Sequence, residues 1–173
     1  MTRHFRSLLP IIILAALGPG CALGQNRLPE FRSHFSQETD PMRRAQMMPR
    51  LGQAEFDEIT RDIDAGKLPE ALSLLKEYRD EIESCEKGLD AEKINAEKHP
   101  KGYKQLEISL RESLRRLNSL LVSFTAEEQQ PFLDVRNDLD TLNRHLIREL
   151  FPNQPDKSPA SEPATETASP KQE

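Results

Sequence analysis

The chain has 173 residues and a formal net charge of −5. A surface of that sign repels nucleic acid and anionic lipid, so neither is an expected partner. The chain has no Trp, and only 5% of its residues are aromatic, which argues against a surface on which bases stack.

The first 24 residues have the three zones of a secretory signal peptide. Arg3 and Arg6 form a basic start, the apolar run LLPIIILAAL follows at 8–17, and small residues come next. The run is shorter than the roughly 20 residues that a membrane-spanning helix needs. Residues 1–24 are therefore predicted to be a signal peptide, and the protein is expected to be periplasmic or secreted.

Two processing routes compete at the end of this segment. Ala22-Leu23-Gly24 precedes Gln25 as a variant of the small-residue cleavage site, which predicts cleavage after Gly24. The alternative is lipidation of Cys21, which would tether the protein to a membrane. The residues before Cys21 fit a lipobox poorly, since Leu17 stands one place too early and Pro19 stiffens the peptide.

Helical signals run from residue 40 to residue 151. Asp40-Pro41 predicts the start of a first helix, an N-cap followed by proline. Pro49 is expected to kink that helix or to separate a short first piece, and Gly66 is expected to end it. A second helix is predicted to begin near Pro69.

Two further helices follow a predicted turn at His99-Pro100, where proline disfavours a continuing helix. The third is expected from about Lys101 to Phe124, and a capping box at Thr125–Glu128 begins the fourth. A continuous helix that bends at Pro100 is the alternative. Predicted core residues recur at helical spacing on all four helices: Phe56, Ile59 and Ile63; Ala71, Leu75, Tyr78, Ile82, Cys85 and Leu89; Tyr103, Leu106, Leu110, Leu114, Leu117, Leu121 and Phe124; Phe132, Val135, Leu139, Leu142, Leu146 and Leu150.

The pattern predicts an all-α protein, a small up-down antiparallel helical bundle of three to four helices over residues 40–151. A polar segment at 25–39 precedes the bundle. The tail at 152–173 is rich in Pro, Ser, Thr and Glu and is expected to be disordered. The alternative architecture is an extended pair of hairpins that dimerises, so a homodimer remains a candidate assembly.

No catalytic, cofactor-binding or metal-binding residue is predicted, and the protein is not expected to be an enzyme. The sequence contains no HExxH, CxxC or Gly-rich phosphate-binding motif. His145 and Glu149 stand four residues apart on one helix and supply at most half of a metal site. An ordinary ion pair on a solvated face is the competing interpretation.

Two other features are candidates for interaction. Arg111, Arg115 and Arg116 form a basic spot on the third helix, which predicts contact with an acidic partner or intrahelical ion pairs with Glu112. Cys85 lies on the apolar seam of the second helix and is expected to be buried. An intermolecular disulfide through Cys85 is the alternative, because export would place it in an oxidising compartment.

Two segments resemble known families. GKLPEALSLLKEY, residues 66–78, resembles the centre of a tetratricopeptide repeat, but no second copy follows, so we interpret it as a helical hairpin. FTAEEQQPFLDVRNDL, residues 124–139, resembles the helix starts of Spy-like periplasmic chaperones, with Phe124 and Glu128 replacing the usual Leu and Gln. That resemblance implies a dimeric helical cradle that binds unfolded clients, whereas a capping box accounts for the same residues.

The expected function is binding to another, unidentified protein of the cell envelope, in a structural or adaptor role. A Spy-like chaperone or stress-related binder is the alternative. Contact with a membrane is expected only if Cys21 is lipidated.

The processing prediction can be tested by the intact mass of the protein exported from a secreting host. The mass should match a chain that begins at Gln25. A chain that begins at Cys21 with added acyl mass would contradict it. Cys21→Ser is the matched control, because it changes processing only if the lipoprotein route is used.

Overall fold

The fold is all-α, as the sequence predicts. We describe a computed structural model of the protein over residues 27–93 and 95–153. These residues form five helices and no strand: α1 (Leu28–Gln37), α2 (Pro41–Asp64), α3 (Leu68–Ala91), α4 (Lys101–Leu121) and α5 (Ala126–Leu150). The predicted signal peptide at 1–24, and the predicted tail beyond residue 153, lie outside the described residues.

The predicted count of three to four helices is wrong, because the described residues hold five. The additional helix is α1, which falls in the segment 25–39 that was predicted only as polar. Leu28 and Phe35 of α1 are buried and Phe31 is partly buried, all on one side at steps of three and four. A helix of ten residues is marginal alone, so packing on α2 stabilises it.

The ends of α2 follow the sequence signals closely. Oδ1 of Asp40 accepts a hydrogen bond from the backbone N–H of Arg43 at 2.9 Å and caps the helix. Gly66 ends it with a φ of 73°, and Lys67 N–H donates to Asp62 at 2.8 Å in the Schellman pattern. Pro49 lies inside one continuous helix, so no short first piece is separated.

The α4–α5 connection contains the predicted capping box. The backbone N–H of Glu128 donates to Oγ1 of Thr125 at 3.4 Å, and the N–H of Thr125 donates to Oε2 of Glu128 at 2.9 Å. Each residue satisfies a backbone donor that the first turn of α5 leaves free. The start of α5 is thus confirmed.

The α3–α4 connection is a break and not a bend. The helix α3 ends at Ala91, and α4 begins immediately after Pro100, so the continuous-helix alternative is wrong. Ala96 is buried beneath the connection, and the side chain of Asn95 accepts from the N–H of Lys98 at 2.8 Å. These contacts hold a compact turn before the proline.

The helices form two antiparallel hairpins, α2–α3 and α4–α5. In the first, Gly88 approaches Pro41 at one end, and Tyr78 lies against Gly52 farther along. In the second, Nε of Arg136 donates to Oδ1 of Asn118 at 2.8 Å. Short connections impose this direction on sequential helices.

The hairpins stack with parallel helices side by side. Arg116 of α4 bonds Asp57 of α2 at 2.8 Å, a separation of 59 residues. Arg79 to Asp138, at 3.0 Å, and Glu86 to His145, at 2.6 Å, join α3 to α5 across the same separation. Residue numbers increase in the same direction along the paired helices. The helix α3 therefore runs parallel to α5, and α2 runs parallel to α4.

The predicted apolar stripes form one core between the hairpins. Every stripe residue predicted on the second helix is buried, Cys85 included, and Ile63, Phe124 and Leu142 are the partly buried members of the other stripes. Within the described residues, no helix combines the length and apolar character required to cross a membrane.

Thr125→Ala tests the capping box. Losing the cap should lower the free energy of unfolding by about 1 kcal/mol, because an N–H at the start of α5 loses its acceptor. Urea denaturation measures the change. Ser123→Ala is the matched control, since that exposed hydroxyl only donates to the carbonyl of Leu120 and should leave stability nearly unchanged. Equal losses in both variants would contradict the capping role.

Candidate functional site

Five charged side chains from three helices meet beneath α1, and we call them the ionic cluster. They are Arg32 of α1, Arg44 and Glu55 of α2, and Glu77 and Glu81 of α3. Glu55 is fully buried, whereas 52% of the Glu77 side chain is exposed. A carboxylate held in the core is costly unless it is paired or neutralised, so the surroundings of Glu55 decide its charge.

Arg32 reaches down from α1 to two carboxylates. Its Nε and Nη2 atoms donate to Oε1 of Glu55 at 3.1 and 2.7 Å, and Nη2 also lies 2.7 Å from Oε2 of Glu77. The guanidinium thereby links α1 to both helices of the first hairpin. A forked contact of this kind is among the stronger hydrogen bonds that side chains make.

Arg44 supplies the second positive charge. Its guanidinium lies over the ring of Phe35 on α1, 4.5 Å from the ring centre, and its charge acts on Glu81 and Cys85. The cation–π contact is a second link between the cluster and α1.

The surroundings of Glu55 favour the protonated form of its carboxyl group. The pKa of Glu55 is raised to about 8, first because burial disfavours the charged form and then because the Glu81 carboxylate lies beside it, while Arg32 opposes both effects. Burial also raises the pKa of Glu81. The Oε2 atom of each is buried without a hydrogen-bond donor among the described residues. A proton on one carboxyl group gives the other a donor.

A layer of buried hydroxyl groups adjoins this pair. Tyr78 is fully buried, its hydroxyl lies beside Ser109 and Ser113 of α4, and burial raises its pKa. Gly52 makes room for the ring, because a Cβ there would lie 2.8 Å from Cε2 of Tyr78. A cavity of about 280 Å³ opens between α2 and α4 at these serines. Polar groups thus extend from α1 across the core to α4.

His145 belongs to a separate contact between α3 and α5. Its Nδ1 atom lies 2.6 Å from Oε1 of Glu86, and its Nε2 atom lies 3.8 Å from Oε1 of Glu149. Glu86 is buried, and burial raises its pKa while His145 opposes the shift. In the described part of the chain, no three His, Cys, Asp or Glu side chains are placed to hold a metal ion. The contact therefore joins α3 to α5 through the His145 ring and the Glu86 carboxyl group.

The three predicted contact arginines differ in the contacts they make within the chain. Arg116 bonds Asp57 of α2 and lies 5.4 Å from the ring centre of Phe56. Arg111 lies 3.6 Å from Glu107 on its own helix, and Arg115 is exposed. Arg116 therefore joins the two hairpins through α4 and α2. Arg111 and Arg115 lie at the surface.

Cys85 is buried in the core as a free thiol. Burial raises its pKa to about 12, an effect to which Glu81 adds and which Arg44 opposes. The thiolate is the reactive form of cysteine, so this thiol is chemically inert while the protein is folded. The predicted lipidation site, Cys21, lies outside the described residues.

No protein-family model, curated protein or solved structure matches this chain.

The ionic cluster was not predicted from the sequence. Glu55 stands on the apolar face of α2, four residues after Leu51 and four before Ile59, and this interruption of the stripe is the signal that points to it. Arg32 carries no comparable signal, because its partner is 23 residues away in the sequence.

The inertness of Cys85 can be measured by alkylation at pH 8, with peptide mass spectrometry to locate the label. Cys85 should stay unlabelled in the folded protein and react fully in denaturant. Ser84→Cys places a control thiol on the neighbouring exposed position, and that thiol should react at once. Equal labelling rates, or a disulfide-linked dimer through Cys85, would contradict its burial.

Proposed function

We propose that the protein is exported and acts by binding another protein of the cell envelope, as a structural or adaptor module. The observation that supports this is an exposed apolar pair at the end of α5. Ile147 is 37% exposed and Phe151 is 56% exposed. Exposed aromatic side chains of this kind supply much of the binding energy in protein interfaces.

The two side chains lie on the same side of the helix end. Phe151 donates its backbone N–H to the carbonyl of Ile147 at 2.9 Å, so one helical turn separates them. The helix α5 turns its other large apolar residues toward the core, whereas these two face outward. Val122, the third exposed large apolar residue of the described chain, lies at the opposite end of the hairpin.

The charge beside the pair indicates what a partner would offer. Arg148 is exposed and follows Ile147, while Arg144 is already bonded to Asp140 at 2.9 Å. A protein with an apolar pocket and a carboxylate at its rim would complement Ile147, Phe151 and Arg148. The rim charge would add specificity and association rate more than affinity.

The Spy-like chaperone alternative has less support. Its resemblance depends on residues 124–139, and the two decisive residues there, Thr125 and Glu128, bond to each other as a capping box. Capping of α5 therefore accounts for the presence of both residues. The adaptor role is therefore the proposal we favour.

Site-specific photocrosslinking in the native cell envelope tests the proposal. A photoreactive residue at position 151 should capture a discrete partner, and Phe151→Ala should weaken association at least tenfold, as the loss of an interface aromatic commonly does. Lys76, exposed on α3, is the control position and should capture no such product.

Three outcomes would contradict the adaptor role. Identical products from positions 151 and 76 would show that capture is non-specific. Crosslinks only to a second copy of the chain would assign the surface to a homodimer. Suppression of aggregation of a reduced client protein, undiminished by Phe151→Ala, would favour the chaperone alternative.

A further inference from the structure

The ionic cluster contains more acid than base. The two guanidinium groups of Arg32 and Arg44 remain charged at any physiological pH. Three carboxyl groups face them, from Glu55, Glu77 and Glu81. One bound proton makes the cluster neutral, and its loss leaves one negative charge uncompensated beneath α1.

The extra charge is only partly hydrated while α1 is in place. Glu77 and Glu81 line an open cavity of about 510 Å³ between α1 and α3, but the Oε2 atoms of Glu55 and Glu81 are buried. Glu55 is fully buried, and Arg32 and Phe35 of α1 cover the cluster on its outer side. An ionised pair of carboxylates at this depth requires water. Movement of α1 would expose the buried Oε2 atoms of Glu55 and Glu81 to water.

The helix α1 is the element best suited to move. It has ten residues and is the first helix of the described chain. Its backbone packs against α2, and Arg32 also reaches Glu77 of α3. An isolated helix of this length is unstable in water, so release also favours its unfolding. Among the buried core residues of the described chain, only Leu28 and Phe35 belong to α1, and nearly all the others lie on the four longer helices.

We propose that the proton shared by Glu55 and Glu81 controls the docking of α1 on the α2–α3 hairpin. With the proton bound, Arg32 and Phe35 hold α1 in place. When the proton is lost, α1 detaches, Leu28 and Phe35 leave their buried positions, and the two carboxylates meet water. The inference does not depend on the proposed partner of α5.

The direction of the pH effect follows from the raised pKa. A carboxyl group whose pKa is raised in the docked state binds its proton more tightly there than in the released state. Docking is therefore strongest in acid and weakens as pH rises from the ordinary range of a glutamate to about 8. Above that value both states are ionised and the effect levels off. Between those limits, the released-to-docked ratio rises about tenfold per pH unit.

The other groups around the pair do not account for the pH effect, which is therefore assigned to Glu55 and Glu81. Arg32 faces them from α1 and Arg44 from α2, and both keep their charge. On α3, Tyr78 and Cys85 stay neutral below pH 10, because burial raises the pKa of each. Glu77, the remaining acid, is half exposed at the rim.

Tryptophan fluorescence can report the position of α1. The chain has no Trp, so Phe31→Trp places a single fluorophore on the partly buried side of α1. Its emission should shift to the red as pH rises from 5 to 8 and stay level up to 9.5. Circular dichroism should show that most of the helix content is retained.

Glu55→Gln in this background is the decisive variant. Glutamine can accept from Arg32 and donate to Glu81, but it does not titrate, so the shift should disappear. Glu58→Gln is the matched control on the same helix, because Glu58 pairs with Arg61 at the surface. It should keep the shift. A shift that persists in Glu55→Gln, or a reporter that responds to urea but not to pH, overturns the proposal.

Hydrogen exchange gives the same test without a reporter. In the unmodified protein, protection of α1 amides relative to α4 amides should fall at least about tenfold between pH 6 and pH 8, after correction for intrinsic exchange. In Glu55→Gln the ratio should stay constant. Equal behaviour of the two proteins overturns the proposal even if Phe31→Trp itself disturbs α1.

Discussion

A single buried carboxyl group constrains this small bundle. Glu55 occupies a core position on α2, where an uncompensated charge would cost more than most single contacts contribute. Arg32 of α1 donates to it, and Glu81 of α3 lies beside it and raises its pKa. The positions of three helices around this point are therefore linked. Removing any one of these three side chains changes the charge balance and the contacts of the other two.

Buried polar groups continue beyond Glu55 through the middle of the bundle. Tyr78 follows Glu77 on α3 and reaches across to the serines of α4, with Gly52 of α2 allowing the close approach. Small side chains at this level bring α2, α3 and α4 together where large apolar residues would separate them. At the surface, the ion pairs of Arg116 with Asp57 and of Arg79 with Asp138 also join the two hairpins.

The features predicted correctly from the sequence are those encoded locally. Asp40, Gly66 and the Thr125–Glu128 box act on neighbouring backbone groups, so a few residues are enough to identify them. Apolar stripes likewise identify the buried side of each helix, but they do not identify the helix that packs against it. The helix α1 and the ionic cluster depend on contacts between distant residues, such as Arg32 with Glu55, and periodicity carries no such information. The parallel pairing of the two hairpins likewise depends on contacts between residues that are far apart in the sequence.

The placement of α1 gives the processing of the N-terminus a structural consequence. Leu28 is the fourth residue after Gly24, so the proposed cleavage would leave α1 almost at the free end of the chain. A helix at a free end can leave its site without straining other segments. Lipidation at Cys21 would instead fix α1 within a few residues of a membrane and restrict that movement. If both proposals hold, the proton-controlled docking of α1 would be least restricted in a chain cleaved after Gly24.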